Sequence, residues 1–365
     1  MTALQTIPEQ KKRMEWLDAM RGFTMILVVA QHVTSSAFGI RMPKDTAIQN
    51  LLILFRMPLF FFVSGFLAYS ASTEWNAKTL GRLVLKKLRV QLIPTIVFRC
   101  AFIAIFHKHF GDALMDFLSR PLKGGYWFTW VLLLMFLLYY PFAYLEAKLK
   151  EWTKGRMPAW LPILVLWVIA MMMYETNYMP KYFKYPKSTW SNYLSFSNLT
   201  MYFCFFVTGN IVRRYWLQAE KLFDSRWFFF AIVLLAFFSS VEFFRWHFLR
   251  RMWAILPRTL AIFSFLLIIA MSFRHYEGVF SKENRIGRMM QLIGTRTLDI
   301  YLIHYFFIPH LPWMGVWLKA NKPGIVVEMV LIVGIGLAII AFSLLTSSIL
   351  RISPIFRKYL FGQKV

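Results

Sequence analysis

The sequence predicts an all-α fold: a polytopic transmembrane helical bundle of about ten spans, with both termini cytoplasmic. Three observations predict it. The 365 residues are 58% hydrophobic and 19% aromatic, where soluble domains hold about 45–50% apolar residues. The excess falls into runs near the ~20 residues that a helix needs to cross hydrocarbon. The net charge of +25 sits in short connections between those runs, which points to membrane topology and away from nucleic acid. No polar segment is long enough to fold alone. The expected organisation is therefore a cytosolic leader over 1–15, one transmembrane domain over 16–350 and a cytosolic tail over 351–365.

The apolar runs are 21–40, 51–70, 90–106, 126–145, 160–174, 194–212, 227–244, 252–272, 292–315 and 325–349. The fifth is short and contains Pro162, so a half-helix or a tilted segment is expected there. Of the 42 Lys and Arg, 25 fall in the connections that share a side with the termini and 14 in the alternate set. Arg21, Arg56 and Arg99 lie inside runs. The excess of positive charge assigns the termini to the cytoplasm. Trp16, Trp127 and Trp227, at run ends, are expected to anchor at the interface. Cys100 and Cys204 lie in apolar runs, which indicates neither a disulfide framework nor a metal cluster. The opening "MTALQTIPEQKKRMEW" has no apolar core or small-residue cleavage site and reads as a leader, not a signal peptide. A P-loop, a paired-glycine dinucleotide fingerprint, a His-Glu-x-x-His motif and a Gly-x-Ser-x-Gly elbow are all absent from the sequence.

The first run, "WLDAMRGFTMILVVAQH", places Arg21 and His32 eleven residues apart. That is close to three helical turns, so both side chains share a face, with a rise between them of ~16 Å. This suits a long substrate with an anionic head at the cytoplasm and a reactive end near the bilayer centre. A snorkelling arginine and a histidine bonded within the bundle account for the pair equally well. Asp18, three residues before Arg21, is placed to orient it by an ion pair.

The second run, "FRMPLFFFVSGFLAYS", carries Pro58, which loosens a helix. Ser64 and Gly65 permit close packing or backbone approach to a ligand. Arg56 is expected near the outer side, either paired or snorkelling, or in contact with substrate. In "GRLVLKKLRVQLIP", the residues Arg82, Lys86 and Arg89 follow the spacing of one helix face. They suit phosphate binding or ordinary positive-inside charge. Further on come "GGYWFTW" over 124–130, Glu242 with Arg245 as its expected partner, and "IGTRTLDIYLIH" over 293–304. In the last, Tyr301 and His304 share a face. Asp299 lies elsewhere on that helix, where Arg296 or a loop lysine would pair with it.

These stretches, in this order, resemble the acyltransferase 3 family of integral membrane enzymes, which move acyl groups, often acetyl from acetyl-CoA, onto carbohydrates. The resemblance rests on the arginine–ten residues–histidine spacing of the first run, on "RMPLFFFVSGFLAYS", "LKKLRVQLIP", "WFTWVLLL" and "IGTRTLDIYLIH", and it spans most of the chain. The second and third motifs are most similar to the branch that includes fucose 4-O-acetylases. Two positions depart from it: Arg56 stands where that branch commonly has a histidine, and Lys86 where many members have an arginine.

The resemblance implies a membrane O-acyltransferase of the bacterial cytoplasmic membrane. Acetyl-CoA or another acyl-CoA is the co-substrate, a carbohydrate the acceptor, and no metal or nucleic acid is involved. It implies that His32 takes the proton of the acceptor hydroxyl. Arg21, with Lys86, Arg89 and Arg82, would hold the anionic part of the acyl-CoA at the cytoplasmic side. Arg56, Ser64, Trp127, Tyr301 and His304 become substrate-contact candidates, with Asp18 and Asp299 in orienting roles. Because the sequence places no serine or cysteine convincingly beside His32, direct transfer is favoured over an acyl-enzyme. A glycolipid or oligosaccharide transporter or flippase is the competing class, since intramembrane arginines and a proline-broken helix serve it too. A membrane scaffold with a degenerate site is the third.

Overall fold

The computed structural model describes residues 14–40, 47–177, 189–242 and 256–361. These residues are helical, with no strand among them. In chain order the helices are α1 (Glu15–His32), α2 (Ala47–Ala68), α3 (Ala77–Lys87), α4 (Ile93–Phe106), α5 (Phe110–Ser119), α6 (Trp127–Trp152), α7 (Leu161–Thr176), α8 (Thr189–Tyr193), α9 (Phe196–Arg214), α10 (Trp216–Phe223) and α11 (Arg226–Val241). There follow α12 (Leu256–His275), α13 (Arg285–Thr295), α14 (Thr297–Ile303), α15 (Pro312–Asn321), α16 (Ile325–Leu350) and α17 (Pro354–Tyr359). Most of the leader, the last residues of the tail, part of the eighth apolar run, and Arg245 lie outside the described residues. Glu242 itself is buried.

Every predicted run is occupied by helix, and the long apolar ones stand out. Ala77–Phe106 (α3 and α4 joined by a π-turn), α6, α12 and α16 are long and apolar enough to cross a bilayer. The pair α10 and α11, bent by 78° at its junction, counts as a fifth if taken as one broken span. By length and apolarity, then, four or five helices among the described residues qualify where ten were expected. Leu54–Ala68 and α7 are shorter apolar helices. Pro162 sits in the first turn of α7, where its missing N–H costs nothing, so α7 is a whole helix rather than a half. The ninth run is the real departure. It breaks at Arg296, becomes α14, tightens into a 3₁₀ turn over His304–Phe307, and only then reaches α15.

Helix α1 is the hub. It is buried on nearly all sides and packs against α2, α12, α13, α14 and α16. Two of the helix crossings are backbone-close. A Cβ on Gly22 would lie 2.0 Å from the Met290 carbonyl oxygen, and one on Gly294 1.8 Å from that of Asp18. A Cβ on Gly65 would lie 1.8 Å from the Phe206 carbonyl oxygen, and one on Gly209 1.9 Å from that of Phe62. Small residues at both partners let the helix axes approach where lipid supplies no hydrophobic drive. Gly65 therefore serves packing of α2 on α9.

Ion pairs close one end of the bundle. Arg214 holds Glu146, with its two outer nitrogens 2.6 and 2.7 Å from the carboxylate oxygens. Arg274 reaches Glu220 at 2.6 Å, Lys282 lies 3.9 Å from Glu15, and Arg351 reaches Asp299 at 2.8 Å. The first three join connections that the charge count assigned to one side, and the fourth ties the last of those connections to the ninth run. At the other end the Lys123 ammonium donates to the carbonyls of Leu118 and Asn192. Trp227 is 84% exposed, as an interfacial anchor should be, but Trp16 is 3% exposed and stacks on Trp216 at 5.8 Å. Trp16 is therefore a core residue and not an anchor, because α1 lies inside the bundle rather than on its lipid face.

Candidate functional site

Arg21 and His32 lie on the unbroken helix α1, so the register read from the sequence holds: one face, ~16 Å apart along the axis. At the Arg21 end there is a cavity of about 490 Å³. Arg21, Ser64, Lys86, Lys87 and Thr297 all line it. Arg21 donates to the Thr297 hydroxyl at 3.0 Å and to Asp18 at 3.4 Å. The break at Arg296 is what brings Thr297 there, as the first residue of α14. Lys87 lies 3.3 Å above the Phe136 ring.

Arg82 and Arg89 do not join the cavity; both are exposed. The expected single face fails because Leu88–Leu92 is a π-turn. Its wider winding turns Arg89 out of the register that an α-helix would give. Lys87, which the spacing argument passed over, takes the place at the wall.

At the other end of α1 stands His32, half-buried. Its Nε2 is 3.1 Å from the Tyr305 hydroxyl, and that hydroxyl donates to the Gly125 carbonyl at 2.9 Å. Tyr305 has one proton. With that proton on Gly125, the Tyr305 oxygen accepts from His32 Nε2–H, and the lone pair of the imidazole is on Nδ1. The Gly125 carbonyl also accepts from Tyr301 at 2.6 Å, and the Phe128 amide donates to the Tyr301 oxygen at 3.3 Å. The Tyr126 hydroxyl donates to the Leu302 carbonyl at 2.8 Å. Gly124 and Gly125 hold this turn with φ of +54° and +97°; a Cβ on Gly125 would lie 2.4 Å from the Tyr305 oxygen. Only glycine combines that backbone with that approach.

His304 lies with its ring centroid 5.0 Å from that of His32 and 4.1 Å from that of Tyr305. Its Nδ1 is 3.1 Å from the Ile300 carbonyl and therefore carries the proton. Tyr301 and His304 are thus buried supports beneath His32. Trp127 is one layer out, stacked on Tyr202 at 5.6 Å. Arg56 lies within electrostatic reach of His32 and of the hydroxyls of Tyr202, Tyr301 and Tyr305. Asp299 pairs with Arg296 as expected and has a second, closer partner. It is held by Arg351, with contacts of 2.8 and 2.9 Å, while Arg296 lies at 3.6 Å. Arg351, assigned to a tail, therefore locks the end of α16 to α14.

Tyr305 was missed by the sequence reading. The signal was present, since Tyr305 follows Tyr301 by four residues and so shares its helix face. An aromatic wall separates the two ends of the site. Phe60 and Phe128 line the cavity with ring centroids 4.4 Å apart, and Phe128 lies 5.1 Å from Tyr301.

The first run, the glycine turn and the broken ninth helix thus converge on one imidazole, and the first and last of these are among the stretches on which the family resemblance rests. The family model described as "Acyltransferase domain" matches residues 14–348. The chain belongs to the acyltransferase 3 family. It is also similar to the nodulation protein NolL of Sinorhizobium fredii (strain NBRC 101917 / NGR234), with 32% identity over 145 residues. That alignment covers 37% of this chain and 38% of the relative, so the chain matches well under half of that protein's length. No solved structure matches the chain.

Proposed function

We propose that this chain is a membrane O-acyltransferase. It moves an acyl group, acetyl in the first instance, from cytosolic acyl-CoA to a hydroxyl of a cell-surface or exported carbohydrate. The proposal includes the bacterial cytoplasmic membrane, ten spans and cytoplasmic termini. The observation that carries it is the His32–Tyr305–Gly125 arrangement, at one end of a helix whose other end puts Arg21 in a basic cavity.

The chemistry follows from that layout. Phosphates of the donor sit against Arg21, Lys86 and Lys87, where charge-assisted hydrogen bonds favour anions. The acyl end extends along α1, past Phe60 and Phe128. His32 Nδ1 takes the proton of the acceptor hydroxyl as its oxygen attacks the thioester carbon. The carbon–sulfur bond breaks, and the imidazolium returns the proton to the departing thiolate. Tyr305 accepts from Nε2–H throughout, so it keeps the imidazole in the productive tautomer and supports the imidazolium. This is the orienting role that a buried carboxylate plays in hydrolase triads. Thr34 and Ser35, close to His32, are engaged elsewhere: Thr34 donates to the Ala30 carbonyl and Ser35 to that of Gln31. Direct transfer is the simpler course.

The test is acyl transfer from labelled acetyl-CoA by the purified full chain in nanodiscs, with surface glycan as acceptor. General-base catalysis contributes about 10²–10⁴-fold, so His32→Gln and His32→Ala should each lose activity by that order with folding intact. Near-normal turnover in His32→Gln would return His32 to a packing role and remove the basis of the proposal.

A further inference from the structure

Two cations near His32, Arg99 buried and Arg56 half-buried, have no counter-ion among the described residues. Arg56 Nη1 and Arg99 Nε are buried nitrogens without a hydrogen-bond partner. Arg99 is 5% exposed. Its guanidinium lies between the rings of Phe102, Phe117 and Tyr126, 5.5–5.9 Å from their centroids, and reaches the Gly124 carbonyl only at 3.5 Å. Asp116, within electrostatic range of Arg99, is ion-paired with Arg120. Tyr305 is within electrostatic reach of both arginines. The hydroxyl that orients His32 is thus flanked by two guanidinium groups.

Burying an ion costs several kcal/mol unless it is paired, and arginine cannot escape by losing its proton. The fold nevertheless makes room for one of them. A Cβ on Gly124 would lie 2.4 Å from Arg99 Nη2, so the turn that presents Gly125 to Tyr305 is also shaped around Arg99. The donor phosphates are accounted for at the far end of α1. A tetrahedral oxyanion on the acyl carbon is transient and does not balance two permanent charges in the resting protein. A permanent anion on the second substrate does.

We infer that the acceptor is an acidic saccharide, whose carboxylate or phosphate is held by Arg56 and Arg99 while its hydroxyl is presented to His32. This rests on the acyltransferase reading above and names the acceptor class that the reading leaves open. Guanidinium suits both anions, because its fork of N–H donors matches two oxygens at once.

The experiment is equilibrium binding, without acyl-CoA, to the full chain in nanodiscs. Three probes differ at one position: cellobiose, cellobiouronic acid and cellobiose 6′-phosphate. At least one acidic probe should bind ten-fold or more tightly than cellobiose, and which one does so identifies the anion. That preference should fall about ten-fold in Arg56→Gln and in Arg99→Gln, and be partly kept in Arg56→Lys, with melting followed in each variant. Arg56→Lys guards against misreading a folding defect, since it keeps the charge. Absence of a preference in the unaltered protein, whether all three bind alike or none binds, overturns the inference. So does a preference unchanged in both glutamine variants. The two readings fail separately: acylation of neutral and acidic acceptors alike would remove this inference and leave the acyltransferase. Anion binding without His32-dependent acyl transfer would do the reverse.

Discussion

Tyr305→Phe isolates the least expected part of the site. The change removes one oxygen. The Gly125 carbonyl keeps its 2.6 Å bond from Tyr301, so no buried acceptor is orphaned and the ring packing is retained. What disappears is the acceptor for His32 Nε2–H. In the resting enzyme this frees the tautomer; as the imidazolium forms, it removes a hydrogen bond to a charged group. Such a bond contributes about 1.5–3 kcal/mol. At 1.4 kcal/mol per factor of ten, turnover should fall about ten- to a hundred-fold. The loss should appear in kcat, with little change in donor KM, because the site proposed for the donor phosphates lies ~16 Å away along α1. Steady-state kinetics per folded molecule, with melting in the same nanodiscs, decides the matter. A Tyr305→Phe enzyme with unaltered kcat, or one whose loss matches lost folded protein, would refute the assignment of Tyr305 as the positioning residue.

Three further outcomes are expected. Replacing Lys86 and Lys87 by glutamine should weaken acyl-CoA binding about ten-fold or more, since each charge-assisted contact is worth roughly 1.5–3 kcal/mol; Arg82→Gln with Arg89→Gln, outside the cavity, should leave donor affinity within two-fold, roughly the scatter of a surface change. Gly294→Ala should destabilise by about 1–3 kcal/mol or more, because its Cβ would lie 1.8 Å from the Asp18 carbonyl oxygen, whereas Gly334→Ala, with nothing within 4 Å, is the control in the same melting assay. Reporter fusions at either terminus should be active only in their cytoplasmic form; activity confined to the periplasmic reporter would reverse the orientation and the placement of Arg21 with it.

The sequence by itself determined the helices and the family. Apolar runs of sufficient length leave the backbone no partner in lipid but its own carbonyls, so helix follows from composition. It also determined that Arg21 and His32 share a face, because that relation is local to one regular helix. What depended on winding or on distant segments was decided by tertiary structure. The π-turn at Leu88–Leu92 replaced Arg89 by Lys87 at the cavity wall, and α-helical spacing cannot foresee a change of pitch. The break at Arg296 turned Thr297 towards Arg21 and split a run that composition alone would draw as one span. Asp299, besides its neighbour Arg296, found Arg351, 52 residues on. Tyr305, whose hydroxyl meets His32, is itself held by the carbonyl of Gly125, 180 residues away. A backbone oxygen carries no side-chain signature, so only the packed fold could reveal that Gly125 meets Tyr305.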